Sequence, residues 1–160
     1  MNILAVDPGS SESGICIVDS ETYRPSLFGK FNNERVRSIC LLNPYDIAVI
    51  EMVANYGSAA GASLFETCIA IGRFEDRIER TGRKFETIKR KQYITDLTGN
   101  PKANDAVITQ YLIDRFAPNT PNRGKGVKKA PGFFYGFSKD IWQAYAIAVW
   151  KCDQLNGVVY

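Results

Sequence analysis

The stretch Asn2-Ile3-Leu4-Ala5-Val6-Asp7-Pro8-Gly9 decides the fold: an apolar run closes on an acid and then on a Pro-Gly turn. A short continuous apolar segment bounded by turn residues suits a buried central strand. Reading outward, Ile15 to Val18 makes a second strand and Ser26 to Phe31 a weaker third, so the chain opens as a three-stranded meander. Arg35 to Leu42 sets Val36, Ile39 and Cys40 at helical spacing, and Asn43-Pro44 leads into a second apolar run, Ile47-Ala48-Val49-Ile50, that ends at Glu51. A strand, helix, strand alternation after a meander needs a crossover that returns the chain parallel to an earlier strand. The fold class is therefore α/β, a mixed sheet flanked by helices.

Further along, small and apolar positions recur from Ala59 to Arg80 (Ala62, Phe65, Cys68, Ile69, Gly72, Phe74, Ile78) and predict one long helix. Lys84 to Ile88 is a short edge strand, the fifth. Gln92 to Leu97 and Ala103 to Phe116 are helical, parted by Gly99-Asn100-Pro101. Residues 117 to 136 are rich in proline, glycine and basic residues without periodicity, which predicts a basic, mobile loop. A last helix from about Ser138 to Gln154 carries Ile141, Trp142, Tyr145, Ala148, Val149 and Cys152 on its apolar side.

A length of 160 residues fits a single domain, 1–160. No apolar run approaches the ~18 residues of a membrane helix, and the N-terminus lacks a basic stretch and cleavage site, so a cytoplasmic protein with no membrane partner is expected. Cys16, Cys40, Cys68 and Cys152 lie apart in apolar segments and suggest reduced packing residues rather than disulfides or a zinc site. The chain has no histidine, which removes imidazole bases and His-based triads. Hydrolytic chemistry here has to rest on carboxylates and oxygen-loving metals. Charge is uneven: residues 1–79 carry a net −5 and residues 80–160 a net +8, a pattern that fits a polyanionic partner or a solvated basic face.

Asp7 and Glu51 both end buried strands, where a solitary charge is costly unless paired or metal-bound. Strand C-termini of open α/β sheets are where sites form. Asp140 opens the final helix, and Ala144 and Ala148 are small enough to let that helix approach the sheet. Each acid alone has a plain alternative: turn hydrogen bonds for Asp7, a helix cap for Glu51, the positive helix N-terminus for Asp140. Together they describe a hard-cation site for Mg²⁺ or Mn²⁺, and two such ions about 4 Å apart suffice to hydrolyse a phosphodiester.

The opening Ile-Leu-Ala-Val-Asp7-Pro8-Gly9, with Ser13-Gly14, resembles the first catalytic strand and hairpin of RuvC-type Holliday junction resolvases. Val49-Ile50-Glu51-Met52, Phe65-Glu66-Thr67-Cys68, Ile71-Gly72-Arg73-Phe74 and Leu112-Ile113-Asp114-Arg115-Phe116 follow in the same order. Lys128-Lys129-Ala130-Pro131-Gly132, Tyr135-Gly136, Asp140-Ile141-Trp142 and Ala146-Ile147-Ala148-Val149 resemble the branch encoded by phages and prophages. The resemblance implies a ribonuclease H-like five-stranded sheet, a homodimer, and nicking of four-way DNA junctions. It makes Asp7, Glu51 and Asp140 the catalytic, metal-binding acids, with two ions per site when DNA is bound. One departure stands out: the family's second acid on the last helix, one turn after the first, is Gln143 here. Gln143 and Asp105 are accessory candidates, although an acid in the first turn of a helix often serves only the dipole.

For holding DNA the candidates are Lys84, Lys89, Arg90, Lys91 and Lys102 after the long helix, and Arg123, Lys125, Lys128, Lys129 and Lys139 in and after the loop. Such contacts give affinity and position without reading bases. Phe133, Phe134, Tyr135 and Phe137 suit either base stacking or tucking of the loop beside Trp142. Two other readings compete: a junction-binding protein with little catalysis, which Gln143 favours, and a phosphate-binding protein of the actin and hexokinase type. The second would need two such domains, and no nucleotide cofactor is expected.

Overall fold

The computed structural model describes residues 1–54 and 61–160. Strands β1 (Asn2–Asp7), β2 (Glu12–Asp19), β3 (Pro25–Asn32), β4 (Ile47–Met52) and β5 (Lys84–Lys89) form one sheet in the order β3-β2-β1-β4-β5. The β1-β2 and β2-β3 pairs are antiparallel; β1-β4 and β4-β5 are parallel. This is the mixed sheet expected from the meander and crossover.

Alternation along β1 feeds two cores. Ile3 and Ala5 face one side, packed under α3 (Arg90–Thr98), α4 (Asp105–Phe116) and α5 (Lys139–Leu155). Leu4 and Val6 face the other, under α1 (Asn33–Leu42) and α2 (Ala62–Glu79). Local chemistry sets the helix starts: Asn32 Oδ1 accepts from Arg35 N at 2.8 Å, and Asn104 Oδ1 accepts from Ala106 N and Val107 N at 3.1 Å. The Asn104 cap begins α4 at Asp105, two residues later than periodicity predicts. Gly99, at φ 67°, ends α3 in the left-handed conformation that favours glycine.

Two helices differ from expectation. Helix α2 is described from Ala62; Ala59 and Ala60 of the predicted helix lie outside the described residues. Its buried stripe is Thr67, Ala70, Ile71, Phe74 and Ile78, while Phe65, Cys68 and Ile69 are exposed. Apolar residues surround more of α2 than the sheet covers, so spacing alone does not pick the inner face. Helix α5 is buried on every side from Ile141 to Asp153, because the sheet covers one face and α3, α4 and the 117–137 segment cover the other.

That segment, expected to lack periodicity, contains a small hairpin, β6 (Gly126–Val127) with β7 (Ala130–Pro131), joined by Lys128-Lys129. Phe134 anchors it, its ring 4.6 Å from Trp142, and Phe137 lies 5.1 Å from the same indole. Phe133 stacks on Phe116 at 5.5 Å. Tyr135 remains exposed.

Candidate active site

Val6 pairs with Ile50 across the parallel strands β1 and β4, so Asp7 and Glu51 leave the same end of the sheet side by side. The turn after Asp7 is fixed from below. Ser13 Oγ accepts from Gly9 N at 3.2 Å and donates to Asn33 Oδ1 at 2.7 Å, while Asn33 Nδ2 donates to the Gly9 carbonyl at 3.0 Å. Asp140 arrives from α5. Its docking point is Gly14, which pairs with Asp7: a Cβ at Gly14 would stand 2.6 Å from the Asp140 carbonyl oxygen and 3.1 Å from the Asp140 Cβ. Ala144 and Ala148 are fully buried as expected, and at Gly14 the helix comes so near that a Cβ there would clash with it.

Burial and neighbouring like charges act together on Asp7. Burial first, then the charges of Glu51 and Asp140, push its carboxyl up to about 8, against the pull of Arg90. Glu51 is raised as well, chiefly by burial, although Tyr93 and Arg90 hold it down. The buried Tyr93 hydroxyl donates to Glu51 Oε2 at 2.6 Å. Arg90 Nη1 donates to Gln143 Oε1 at 2.9 Å and to the Tyr93 hydroxyl at 3.2 Å, and Nη2 pairs with Asp105. Asp140 Oδ2 meets Lys30 Nζ at 2.6 Å, and Lys30 is the β3 partner of Gly14. One row across the sheet therefore runs Asp7, Gly14, Lys30, with Asp140 above its middle.

The donor set is all oxygen, which suits a hard divalent cation, and such an ion would relieve the repulsion that raises Asp7. Among the described residues, no three His, Cys, Asp or Glu side chains are gathered round a common point. Asp140 spends its carboxylate on Lys30, and Arg90 stands with Glu51, Asp105 and Gln143. The three acids are neighbours with two cations inserted among them.

No protein-family model matches the chain, and no curated protein matches it. Solved structures do. The chain is similar to Thermus thermophilus RuvC at a TM-score of 0.71 and 16% identity, with 99% of this chain and 98% of that chain covered. T. thermophilus RuvC in complex with Holliday junction substrate matches at the same TM-score of 0.71 and 15% identity, with the same 99% and 98% covered. The fold is the RuvC fold.

On the RuvC fold of this chain, the basic residues divide by place. Arg123, Lys125 and Lys139 line a groove of about 610 Å³ together with Asp105, Asp140 and Gln143. Lys30, Ser10, Ser63 and Thr67 line a second, of about 430 Å³, which Asp7 and Asp140 also border. The two grooves meet at Asp140. Lys91 and Lys102 lie with Arg90 along a third, of about 360 Å³. Lys89 ends β5 beside Met52, at the site end of the sheet. Lys84 pairs with Ile47 at the far end, roughly 16 Å away along the strand, and is not part of this constellation. Arg90, expected on a phosphate-facing surface, instead sits among the carboxylates.

Sequence reasoning missed Lys30 and Tyr93. The signal for Lys30 was the meander register, since Gly14 links Asp7 to Lys30, but that register depends on hairpin lengths which the sequence leaves open. Tyr93 gave no signal beyond being an aromatic in a short helix.

The hairpin tip offers a direct check. Changing both Lys128 and Lys129 to Gln is expected to weaken binding to a four-way junction several-fold and to lower the slope of log K against log salt by about 1.8. Unaltered affinity and slope would place the tip outside the DNA-binding surface.

Proposed function

We propose that this chain is a divalent-metal-dependent, structure-selective endodeoxyribonuclease that nicks four-way junctions and other branched DNA. The reading is supported by the placing of Asp7, Glu51 and Asp140 at the same end of a RuvC-type sheet, with Asp140 turned to Lys30, beside a groove lined by Arg123, Lys125 and Lys139. Asp7, Glu51 and Asp140 are the residues that would hold Mg²⁺ or Mn²⁺. The chemistry supplied by the bound metal is activation of a water and stabilisation of the leaving oxygen of the phosphodiester. Tyr93 keeps Glu51 oriented through its hydroxyl. The lysines and arginines of the grooves seat the backbone phosphates, so branch geometry rather than base sequence selects the substrate. Lys30, placed between the second groove and Asp140, is positioned to pair with a phosphate in exchange for the carboxylate.

A homodimer suits a four-way junction, which presents equivalent strands to be cut. Phe65 and Ile69, 60% and 55% exposed on α2 away from its buried stripe, support contact with a second copy. Among the described residues no helix is long and apolar enough to cross a membrane.

The experiment is cleavage of a panel of labelled four-way, Y-shaped, nicked and linear duplexes with Mg²⁺ or Mn²⁺, with mapping of the cut sites. The expected outcome is metal-dependent nicking of the branched substrates. Equal cutting of linear duplex would overturn the structure selectivity. Tight junction binding without nicking would favour a second reading, a junction-binding protein with impaired catalysis, for which the neutral Gln143 and the inserted Arg90 and Lys30 speak.

A further inference from the structure

Gln143 is only 6% exposed, and its carbonyl oxygen is already committed to the Arg90 guanidinium. A carbonyl that accepts from a fixed cation is a poor ligand for a second cation, because the two positive charges would stand within hydrogen-bond reach of one atom. Arg90 itself is not free to leave. Its two terminal nitrogens are shared among Gln143, Tyr93 and Asp105, and those partners come from α3, α4 and α5. A guanidinium stays charged at any working pH and presents a rigid fork of donors, so this is a permanent positive charge at a defined place. Tyr93 bridges it onward to Glu51. Compared with an acid at position 143 and an uncharged residue at position 90, the Arg90–Gln143 couple makes the site two elementary charges more positive. That is the charge of one divalent ion.

We propose that Arg90, locked by Gln143, Tyr93 and Asp105, takes the place of a second metal ion, so that each chain loads a single divalent cation on the Asp7, Glu51 and Asp140 side. The inference rests on the metal-dependent nuclease reading and deepens it by fixing the stoichiometry of the site. Asp105, an isolated acid in the first turn of α4, acquires a reason beyond the helix dipole: it clamps the outer edge of the guanidinium. Gln143 is the matching half, a neutral acceptor that holds the cation without cancelling it.

The test is a count of bound Mn²⁺ per chain, by electron paramagnetic resonance of the free ion during titration of the intact, DNA-free protein, so that phosphates contribute no sites. Wild-type protein is expected to bind about one Mn²⁺, and Gln143→Asp alone still about one, because the new acid pairs with Arg90. Gln143→Asp combined with Arg90→Gln is expected to bind about two, while Arg90→Lys, which keeps the charge, stays at one. A wild-type count of two overturns the inference without any variant, and leaves the nuclease reading intact. A folded double variant, verified by circular dichroism, that still binds one also overturns it. A wild-type count of zero overturns the metal reading on which both depend.

Discussion

Asp7→Asn is expected to lower junction nicking by at least about a thousandfold while leaving junction binding within a few-fold of wild type. On the proposed reading, the loss follows from removing a charged ligand from a metal site that would supply several kcal/mol of transition-state stabilisation, at about 1.4 kcal/mol per tenfold in rate. Binding should survive because, on the same reading, affinity resides in the lysines and arginines of the grooves. The same substitution is expected to stabilise the metal-free protein. With its carboxyl raised to about 8, folded Asp7 keeps a proton through a pH range in which the unfolded chain, titrating near 4, has lost it. The folded state then binds more protons than the unfolded state between those values, so stability falls as pH rises from about 4 to about 8. Thermal melts in a chelator should show wild-type Tm declining across that window. The variant should show a flatter profile and, at pH 8, a gain on the order of 2 kcal/mol, roughly 4–8 °C. Retained nicking, or a pH profile that the substitution leaves unaltered, would remove Asp7 from the site.

The second large effect lies away from the candidate site. Asp153 on α5 is 0% exposed and accepts from Arg115 at 2.6 Å through both oxygens, from the Tyr23 hydroxyl at 2.7 Å and from the Tyr160 hydroxyl at 2.9 Å. Burial pushes its carboxyl up, but the Arg115 and tyrosine hydrogen bonds outweigh it and hold the group below the usual range. Arg115→Met leaves that carboxylate buried without a counter-charge. The expected cost is about 3–5 kcal/mol in urea unfolding at pH 7, or about 10 °C in Tm. A depressed pKa contributes stability that is present above the unfolded value near 4 and is lost as pH falls through the folded value. Wild type should therefore weaken on acidification only below about pH 4, under the window in which Asp7 acts. In the variant, with the carboxyl freed to rise, stability should increase from pH 7 toward pH 5 more steeply than the Asp7 effect alone gives in wild type. Adding Asp153→Asn should recover part of the loss, since the buried charge is then gone. A loss under 1 kcal/mol would mean the pair contributes little.

The two acids at the strand ends were legible because a charge that closes an apolar run is a local anomaly, visible in six or seven consecutive residues. Asp140 was legible for a weaker reason, its place at the start of an apolar helix. The sheet followed from the same runs, since Ile47 to Ile50 is short, rich in β-branched residues and preceded by Asn43-Pro44, which favours a buried strand over a helix. What stayed hidden depends on contacts far apart in the chain. Lys30 reaches Asp140 only through a register that spans two hairpins, and Tyr93 reaches Glu51 across 42 positions of sequence. Helix α5 reads as amphipathic because Lys151 and Asp153 are charged. Both are buried because Glu86, 2.8 Å from the Lys151 ammonium, and Arg115 come from elsewhere to neutralise them. Arg90 looked like one member of a basic cluster, and nothing in the order Lys89-Arg90-Lys91 marks the middle residue as the one that turns inward.

The docking of α5 on Gly14 has a consequence for synthesis. Asp7 and Glu51 emerge early from the ribosome and Asp140 late, and the third acid is delivered only when the last helix settles on the sheet. On the proposed reading, a nascent chain that has not reached that helix is catalytically inert. Branched DNA in the cell is, on that reading, spared from a half-made nuclease.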